Sequence, residues 1–177
     1  MASAPQVTLG LSGASADDVI AVARHEAQIS ISTQVLEELA SVRAHIDALA
    51  SADTPVYGIS TGFGALATRH IAPEDRAKLQ RSLIRSHAAG MGEPVEREVV
   101  RALMFLRAKT LASGRTGVRP VVLETMIALL NAGITPVVRE YGSLGCSGDL
   151  APLSHCALVL MGEGEATDRQ GVQRPVP

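Results

Sequence analysis

The sequence has 177 residues, enough for one domain with a core of its own, and 46% of them are hydrophobic, which argues against a disordered chain. Its formal net charge is -2 and its charged residues are scattered, so nucleic acid is not an expected partner. Only 2% of the residues are aromatic, so Leu, Val, Ile, Met and Ala must fill the core.

The lack of a recognisable targeting signal and the cysteine content predict a reducing compartment. Residues 1–13 lack a basic stretch followed by an apolar one, and no later apolar run is long enough to span a bilayer. The two cysteines, Cys146 and Cys156, do not form a Cys-x-x-Cys pair, so neither a disulfide framework nor a structural zinc site is supported. We therefore expect a cytoplasmic protein.

Secondary-structure signals predict a mainly α-helical chain with minor β structure. Ser15 is a helix cap followed by the first-turn acids Asp17 and Asp18. Prolines at 73, 94 and 120 are typical of first helical turns. The predicted elements are a strand at residues 7–9 and helices from Ser15, over 32–50, from Pro73 to Gly90, from Pro94 to about 113, from Pro120 to about 131, and from Asp149 to about 162.

Two glycine-rich segments, residues 55–64 and 141–148, interrupt this helical pattern. They contain or adjoin three of the four aromatic residues, Tyr57, Phe63 and Tyr141, which a chain so poor in aromatics would be expected to use in its core. The segments are therefore predicted to carry chemistry. Residues 163–177 are polar, with no closing strand expected, and the chain is predicted to stop within its fold.

The stretch Cys146-Ser147-Gly148 has the most distinctive chemistry. A nucleophile elbow needs Gly-x-Ser-x-Gly, and this stretch is one position short after the serine, which disfavours a serine hydrolase. Neither glycine-rich segment has the lysine or the spacing of a phosphate-binding loop. Backbone cyclisation is a third use, because a glycine nitrogen can approach the carbonyl carbon two residues back. If the serine also loses water, the ring carries an electrophilic methylidene.

The stretch from Gly142 to His155, GSLGCSGDLAPLSH, resembles the signature of the aromatic amino acid ammonia-lyases. The resemblance implies that Cys146, Ser147 and Gly148 form that family's methylidene-imidazolone, with Ser147 as its catalytic residue and no metal or nucleotide. It also implies that Asp149 supports ring formation besides its role as a helix cap. Family members have alanine where this chain has Cys146, but cyclisation uses only the carbonyl of that residue.

The stretch from Tyr57 to Gly64, YGISTGFG, resembles the second signature of the same family. The tyrosine of that signature removes the β-proton of the substrate, and the resemblance implies this catalytic role for Tyr57. Ser60 stands where asparagine is often found. The glycines, Thr61 and Phe63 match, so the shape of the loop is expected to be preserved.

Substrate choice rests on Ser86-His87, which resembles the pair found in the histidine-specific members of the family. Members specific for phenylalanine or tyrosine tend to carry His-Leu or Phe-Leu there. The resemblance implies that L-histidine is converted to trans-urocanate and ammonia, the first step of histidine degradation. A histidine side chain can exchange a hydrogen bond with the substrate imidazole, so His87 is the predicted substrate-binding residue.

The resemblance covers residues 5–165, whereas family members are much longer. It implies that residues 1–177 form a single N-terminal region of the lyase fold and that a downstream helical-bundle part is absent. It also implies a homotetramer for the full-length protein, and a fragment that is inactive alone.

Two alternatives remain open. A phenylalanine or tyrosine ammonia-lyase, or an aminomutase, would share both signatures and differ at His87. A helical assembly fragment with an uncyclised triplet would have no enzymatic activity. Taken singly, Tyr57, Ser147 and His87 are more often a core tyrosine, a turn residue and a partly buried histidine. The neighbours His155 and Cys156 face different ways on a helix and are assigned to packing instead of metal binding.

Overall fold

The computed structural model describes residues 5–176, and this range contains six α-helices and seven strands. The mainly α-helical class predicted from the sequence is confirmed. None of the helices in the described range is both long and apolar enough to cross a bilayer. The helices are α1 (Ala16–His25), α2 (Thr33–Ala50), α3 (Pro73–His87), α4 (Arg97–Ala112), α5 (Pro120–Ala132) and α6 (Leu150–Leu160). The strands are β1 (Gln6–Leu9), β2 (Gln28–Ile31), β3 (Met91–Pro94), β4 (Thr135–Pro136), β5 (Arg139–Tyr141), β6 (Glu165–Thr167) and β7 (Gln173–Pro175).

The N-terminal part is a strand-helix-strand arrangement in which β1 and β2 pair in parallel. The cap predicted at Ser15 is confirmed: the Ser15 hydroxyl accepts a hydrogen bond from Asp18 N–H, and the Asp18 carboxylate accepts one from Ser15 N–H at 2.9 Å. β2 is an addition to the predicted elements. Its four residues are too short a run for strand alternation to stand out in the sequence.

The core is built around α4, which packs against α1 and α5. Phe105 is completely buried there, and α5 contributes Leu123 and Leu130 from the facing side. Aliphatic and methionine side chains fill the rest of the core, as the low aromatic content requires. The buried apolar residues of α4 recur at helical spacing: Val100, Met104, Phe105, Ala108, Leu111 and Ala112.

One charged side chain lies inside this core. Arg101 is 1% exposed and donates hydrogen bonds to the main-chain oxygens of Val22 and Leu130, both at 3.0 Å. These oxygens belong to the last turns of α1 and α5, where the helix dipole is negative, and the Leu130 oxygen also accepts from Gly133 N–H at 3.1 Å. Arg101 therefore stabilises two helix ends at once. Burial lowers the pKa of its guanidinium.

A side-chain amide occupies the outer edge of the parallel strand pair. The Asn131 Oδ1 accepts a hydrogen bond from Ile29 N–H at 2.8 Å, and the Asn131 Nδ2 donates one to the Ile29 oxygen at 2.9 Å. The amide thereby makes the two bonds that a further strand would make at this position. It also ties α5 to β2.

The junction between α3 and α4 differs from the prediction of a helix start at Pro94. Pro94 ends β3, which pairs antiparallel with β5, and α4 begins at Arg97. A proline is compatible with both a strand end and a first helical turn. The tertiary pairing with β5 therefore decides between the two structures.

The prediction that residues 163–177 lack a closing strand is wrong for the part that the structure describes. β6 pairs antiparallel with both β4 and β7. The turn between β6 and β7 depends on Asp168, whose carboxylate accepts hydrogen bonds from the N–H groups of Gln170 and Val172, both at 2.9 Å. Because the hairpin is largely exposed and polar, its sequence has no hydrophobic alternation from which it could be predicted.

Candidate active site

The loop predicted to form the electrophile connects β5 to α6. Cys146 and Ser147 are exposed, and Gly148 has a φ of 70°, in the left-handed region that side chains rarely adopt. A Cβ at Gly148 would meet nothing within 4 Å, so the backbone conformation, not crowding, favours glycine here. The triplet therefore lies on an open loop immediately before Asp149, the N-cap residue of α6.

Asp149 occupies the predicted N-cap position, but its side chain makes no hydrogen bond to its own helix. Its carboxylate instead accepts hydrogen bonds from the Ser143 hydroxyl and from Leu144 N–H, the latter at 3.0 Å. The loop curls back over the helix start and presents these two donors in place of the helix N–H groups. The hydrogen bond from Ser143, followed by that from Leu144, holds the pKa of the Asp149 carboxyl below its ordinary value.

The residues of this loop fit the ring implied by the sequence. Gly148 has no side chain to obstruct its nitrogen, the Cys146 side chain is exposed, and Ser147 is free of tight packing. The segment before the triplet is held in place, because Ser143 both donates to Asp149 and accepts from Gly145 N–H at 3.2 Å. The triplet is thus anchored at its flanks and open at its centre.

The second predicted loop presents Tyr57 to solvent, with the residue 62% exposed. Its hydroxyl oxygen accepts a hydrogen bond from Gly64 N–H at 3.4 Å. Its ring meets Phe63 edge-to-face, with ring centroids 5.8 Å apart. A Cβ at Gly58 would lie 2.8 Å from the Phe63 ring, so this packing requires glycine at position 58.

Ser60, the departure from the asparagine common in the family, is fully buried beneath this loop. Its hydroxyl accepts a hydrogen bond from Val56 N–H at 2.9 Å, and its main-chain N–H donates to the Val56 oxygen at 3.0 Å. The main-chain oxygen of Ser60 also accepts a hydrogen bond from Ile71 N–H at 2.9 Å. Serine therefore supports the tight turn that presents Tyr57.

His87 is the last residue of α3 and is half-buried. Its Nδ1 lies 2.8 Å from the Leu83 oxygen, which can only accept, so the neutral ring carries its proton on Nδ1. The Ser86 hydroxyl also donates to the Leu83 oxygen and lies 3.0 Å from Nδ1. These contacts orient the ring and leave the Nε2 lone pair as a hydrogen-bond acceptor.

The structure brings the His87 segment and the triplet loop together. β3 and β5 pair with Met91 opposite Tyr141, which sets the chain after α3 beside the start of the loop. Gly90 and Gly142 meet behind this pair, since a Cβ at Gly142 would lie 3.1 Å from the Gly90 Cα. Within residues 5–176, no hydrogen bond joins the Tyr57 loop to the triplet loop.

An apolar cavity of about 340 Å³ opens beside the triplet. Gly148 and Leu150 form part of its wall, whereas Tyr57 and His87 do not. Val118, in the loop before α5, also lines it, and α3, α4, α5 and α6 supply the other side chains, which include Ile84, Arg107, Leu111, Val122, Met126, Leu153 and Leu160. Apart from Arg107 and Ser154, the lining side chains are apolar, so most of the cavity wall is suited to apolar contacts.

The sequence pattern did not single out His155 or Ser143 as functional, but Ser143 bonds to Asp149 and His155 bonds to the chain that follows His87. The His155 Nε2 accepts a hydrogen bond from Gly90 N–H at 3.1 Å, which joins α6 to the chain after His87. The next residue, Cys156, is buried, and burial raises the pKa of its thiol to about 12. The one sequence feature that could have indicated a role for His155 and Ser143 is their position inside the long motif at residues 142–155.

Comparisons with known proteins bear on the family of this chain. A sequence profile of the aromatic amino acid lyase family matches residues 14–176. The histidine ammonia-lyase of Streptomyces griseus is 68% identical over 169 residues, which cover 96% of this chain and 33% of that protein. The crystal structure of histidine ammonia-lyase from Trypanosoma cruzi superposes with a TM-score of 0.85 at 34% identity and covers 97% of this chain and 32% of that one.

A tyrosine aminomutase from Streptomyces globisporus has a similar structure, with a TM-score of 0.87 and 36% identity over 97% of this chain and 31% of that one. The chain spans about a third of the length of the curated relatives it matches. Structural similarity alone therefore does not distinguish a lyase from an aminomutase.

Proposed function

The chain belongs to the aromatic amino acid lyase family, and we propose from this premise that the protein containing it eliminates ammonia from L-histidine to give trans-urocanate. The observation that carries the proposal is the 68% identity to the histidine ammonia-lyase of Streptomyces griseus over 96% of the chain. The proposal concerns the full-length protein, because the chain spans only a third of that relative. We place the reaction in the cytoplasm, as the first step of histidine degradation.

The electrophile of this reaction is formed from Cys146, Ser147 and Gly148. Ring closure joins the Gly148 nitrogen to the Cys146 carbonyl carbon with loss of one water. Ser147 then loses its hydroxyl and its α-hydrogen as a second water. The resulting methylidene-imidazolone supplies an electrophilic carbon that accepts either the amine or the imidazole of the substrate. Neither a metal nor a nucleotide takes part in the proposed reaction.

Asp149 and Ser143 hold the loop in which this ring forms. Their hydrogen bond, together with the bond from Leu144 N–H, restrains the chain on the N-terminal side of the triplet. α6 begins directly after the triplet, so the positive end of its dipole favours negative charge that develops there. A restrained loop reduces the entropy that ring closure must overcome.

Tyr57 is the base that takes the β-proton of the substrate. Its phenol is exposed, so a substrate can reach it, and Gly64 N–H donates to the phenol oxygen. Its ring is held by the edge contact with Phe63, which limits the positions that the hydroxyl can occupy. A base needs this kind of restraint to stay within reach of a single proton.

His87 selects the substrate. Its Nδ1 is used by the Leu83 oxygen, so Nε2 accepts a hydrogen bond from the N–H of a substrate imidazole. A phenyl ring has no such donor and would leave this nitrogen unpaired. A site built on a buried polar contact discriminates strongly against substrates that cannot make it.

The proposed full-length protein is a homotetramer. Large apolar side chains are exposed around the triplet loop, and Leu144 is 85% exposed. Apolar groups grouped in this way are typical of surfaces that are covered in an assembly. Met91, Tyr141 and Leu150 are the other members of this group.

The test is an ultraviolet assay of the full-length protein with L-histidine, L-phenylalanine and L-tyrosine supplied separately. Formation of urocanate alone supports the proposed reaction and substrate. Formation of cinnamate or coumarate, or of a β-amino acid detected by chromatography, assigns the protein to another branch of the family.

Mass spectrometry of the peptide that contains residues 146–148 tests the electrophile independently. A deficit of two waters supports the ring, and the Ser147→Ala variant should lose both the Ser147 dehydration and the turnover. A peptide of full mass from the folded protein would contradict the mechanism. It would favour the alternative of a helical assembly fragment.

A further inference from the structure

The ring of His155 joins the two parts of the candidate site. It lies on α6 six residues after Asp149, and its Nε2 accepts the hydrogen bond from Gly90 N–H at 3.1 Å. Gly90 follows His87 by three residues. The helix that begins at the triplet therefore holds the chain that leaves the substrate-selecting histidine.

This junction has no free space. A Cβ at Gly90 would lie 3.0 Å from the His155 Nε2 and 3.1 Å from the Arg139 Cβ. A Cβ at Gly142, at the root of the triplet loop, would lie 3.1 Å from both the Gly90 Cα and the Ala151 Cβ. Three segments thus meet within van der Waals contact: the chain after α3, the root of the loop, and the first turn of α6.

The hydrogen bond defines the state of the His155 ring. An acceptor Nε2 requires a neutral imidazole with its proton on Nδ1. Burial, assisted by the charge of Arg139, lowers the pKa of His155, which favours this neutral form. His155 does not line the cavity beside the triplet, although its neighbours Ser154 and Cys156 do.

We propose that His155 is a positioning residue for the elimination: by accepting from Gly90 N–H it sets the position of His87 relative to the electrophile-forming triplet. This inference rests on the function proposed above. His155 acts through the backbone of residues 88–90 and touches neither the substrate nor the triplet. Loss of the His155 ring should therefore lower kcat/KM for the substrate L-histidine more than it impairs ring formation in the triplet.

Three variants of the full-length protein separate positioning from general packing. His155→Leu removes the acceptor. His155→Gln places an amide oxygen, also an acceptor, near the position of Nε2. The shorter side chain of His155→Asn carries the same acceptor but does not reach Gly90. We expect kcat/KM for histidine to fall between about tenfold and a hundredfold in His155→Leu and His155→Asn, mostly through KM. His155→Gln should recover most of this loss, and His45→Gln, an exposed control on α2, should match the parent protein.

The combination with His87→Leu tests whether His155 acts through His87. We expect His155→Leu to change kcat/KM by less than about twofold in that background, because coupled residues are not additive. Additive effects, or equal losses in the glutamine and leucine variants, would overturn the positioning role. A complete two-water deficit should persist in all His155 variants, and loss of the ring would also overturn it.

Hydrogen exchange at residues 88–91 keeps this inference separate from the proposed reaction. A parent protein that turns over no amino acid would refute the reaction but would leave the exchange experiment intact. Slow exchange of the Gly90 amide in the parent and in His155→Gln, with fast exchange in His155→Asn, supports the inference. Equal exchange in all three proteins would refute it.

Discussion

Ser143 donates a hydrogen bond to Asp149 across the base of the loop that carries Cys146, Ser147 and Gly148. The carboxylate at the start of α6 therefore organises the loop before it and not the helix after it. Because Cys156 and Val159 of α6 are buried, the helix is a rigid support to which the loop is attached.

We predict that Asp149→Ala slows formation of the ring. The variant removes the acceptor for Ser143 and Leu144, so the flank of the triplet gains freedom that cyclisation must remove. Mass spectrometry of freshly purified protein should show an incomplete two-water deficit and proportionally lower turnover. Asp17→Asn, an exposed first-turn acid in α1, is the control, and full ring formation in Asp149→Ala would contradict the role.

The order of the triplet loop should persist into mild acid. The folded pKa of Asp149 lies below its ordinary value, so the stabilisation is fully present above the ordinary aspartate pKa. It is lost only as the pH falls through the lower folded value. Hydrogen exchange of residues 142–148, corrected for the intrinsic rate, measures this directly. Loss of protection already above the ordinary pKa of aspartate would reverse the sign and refute the prediction.

Tyr57→Phe should remove the base and keep the fold. The phenylalanine ring preserves the edge contact with Phe63, while the hydroxyl that accepts from Gly64 N–H is lost. We expect kcat for histidine to fall by about 10²- to 10⁴-fold, the range for general base catalysis. The thermal midpoint and the two-water deficit should be unchanged. A kcat within about twofold of the parent value would exclude Tyr57 as the base.

His87→Leu should weaken histidine turnover far more than folding. The change removes the polar contact to the substrate imidazole from a helix end that tolerates leucine. We expect kcat/KM for histidine to fall by about tenfold to a hundredfold, with a smaller change in the unfolding midpoint. Gln80→Leu, on an exposed position of the same helix, is the matched control. Unchanged histidine kinetics in His87→Leu would refute the assignment.

Arg101→Met should destabilise the protein by about 2–4 kcal/mol, because the buried Val22 oxygen loses its bond from Arg101 and the Leu130 oxygen keeps only the bond from Gly133 N–H. The methionine has a similar volume and is compatible with the apolar core around α4. The free energy of unfolding, from denaturant titration of the full-length protein, measures the effect. Arg81→Met on the exposed face of α3 controls for the loss of charge, and equal stability of the two variants would contradict the account.

Helix positions could be predicted from this sequence because their signals are local. Ser15, Pro73 and Pro120 mark helix starts that the structure confirms, and Gly133 ends α5 in the left-handed conformation. Most strands cannot be predicted in this way, since β2 to β7 are two to four residues long and all but the β6–β7 hairpin depend on partners distant in the sequence. Pro94 illustrates the difference, because only its pairing partner in β5 decides its structure.

The candidate site could be predicted at the level of residues but not of contacts. Motifs alone point to Tyr57, His87 and the triplet, and the β3–β5 pair sets the chain that follows His87 beside the start of the triplet loop. The hydrogen bond from Gly90 N–H to the His155 Nε2 joins residues 65 positions apart, and no periodicity encodes such a contact. The direction of the Asp149 carboxylate depends on a loop conformation that capping preferences do not describe.

The amide of Asn131 has a consequence for self-association. A two-stranded parallel sheet normally exposes a row of unpaired N–H and C=O groups that can recruit a strand from another molecule. In β2 the outward-facing groups of Ile29 are already satisfied by this one side chain. A further strand therefore cannot pair with the middle of β2. A partly unfolded chain in which α5 had left the sheet would expose this edge of β2 as a template for aggregation.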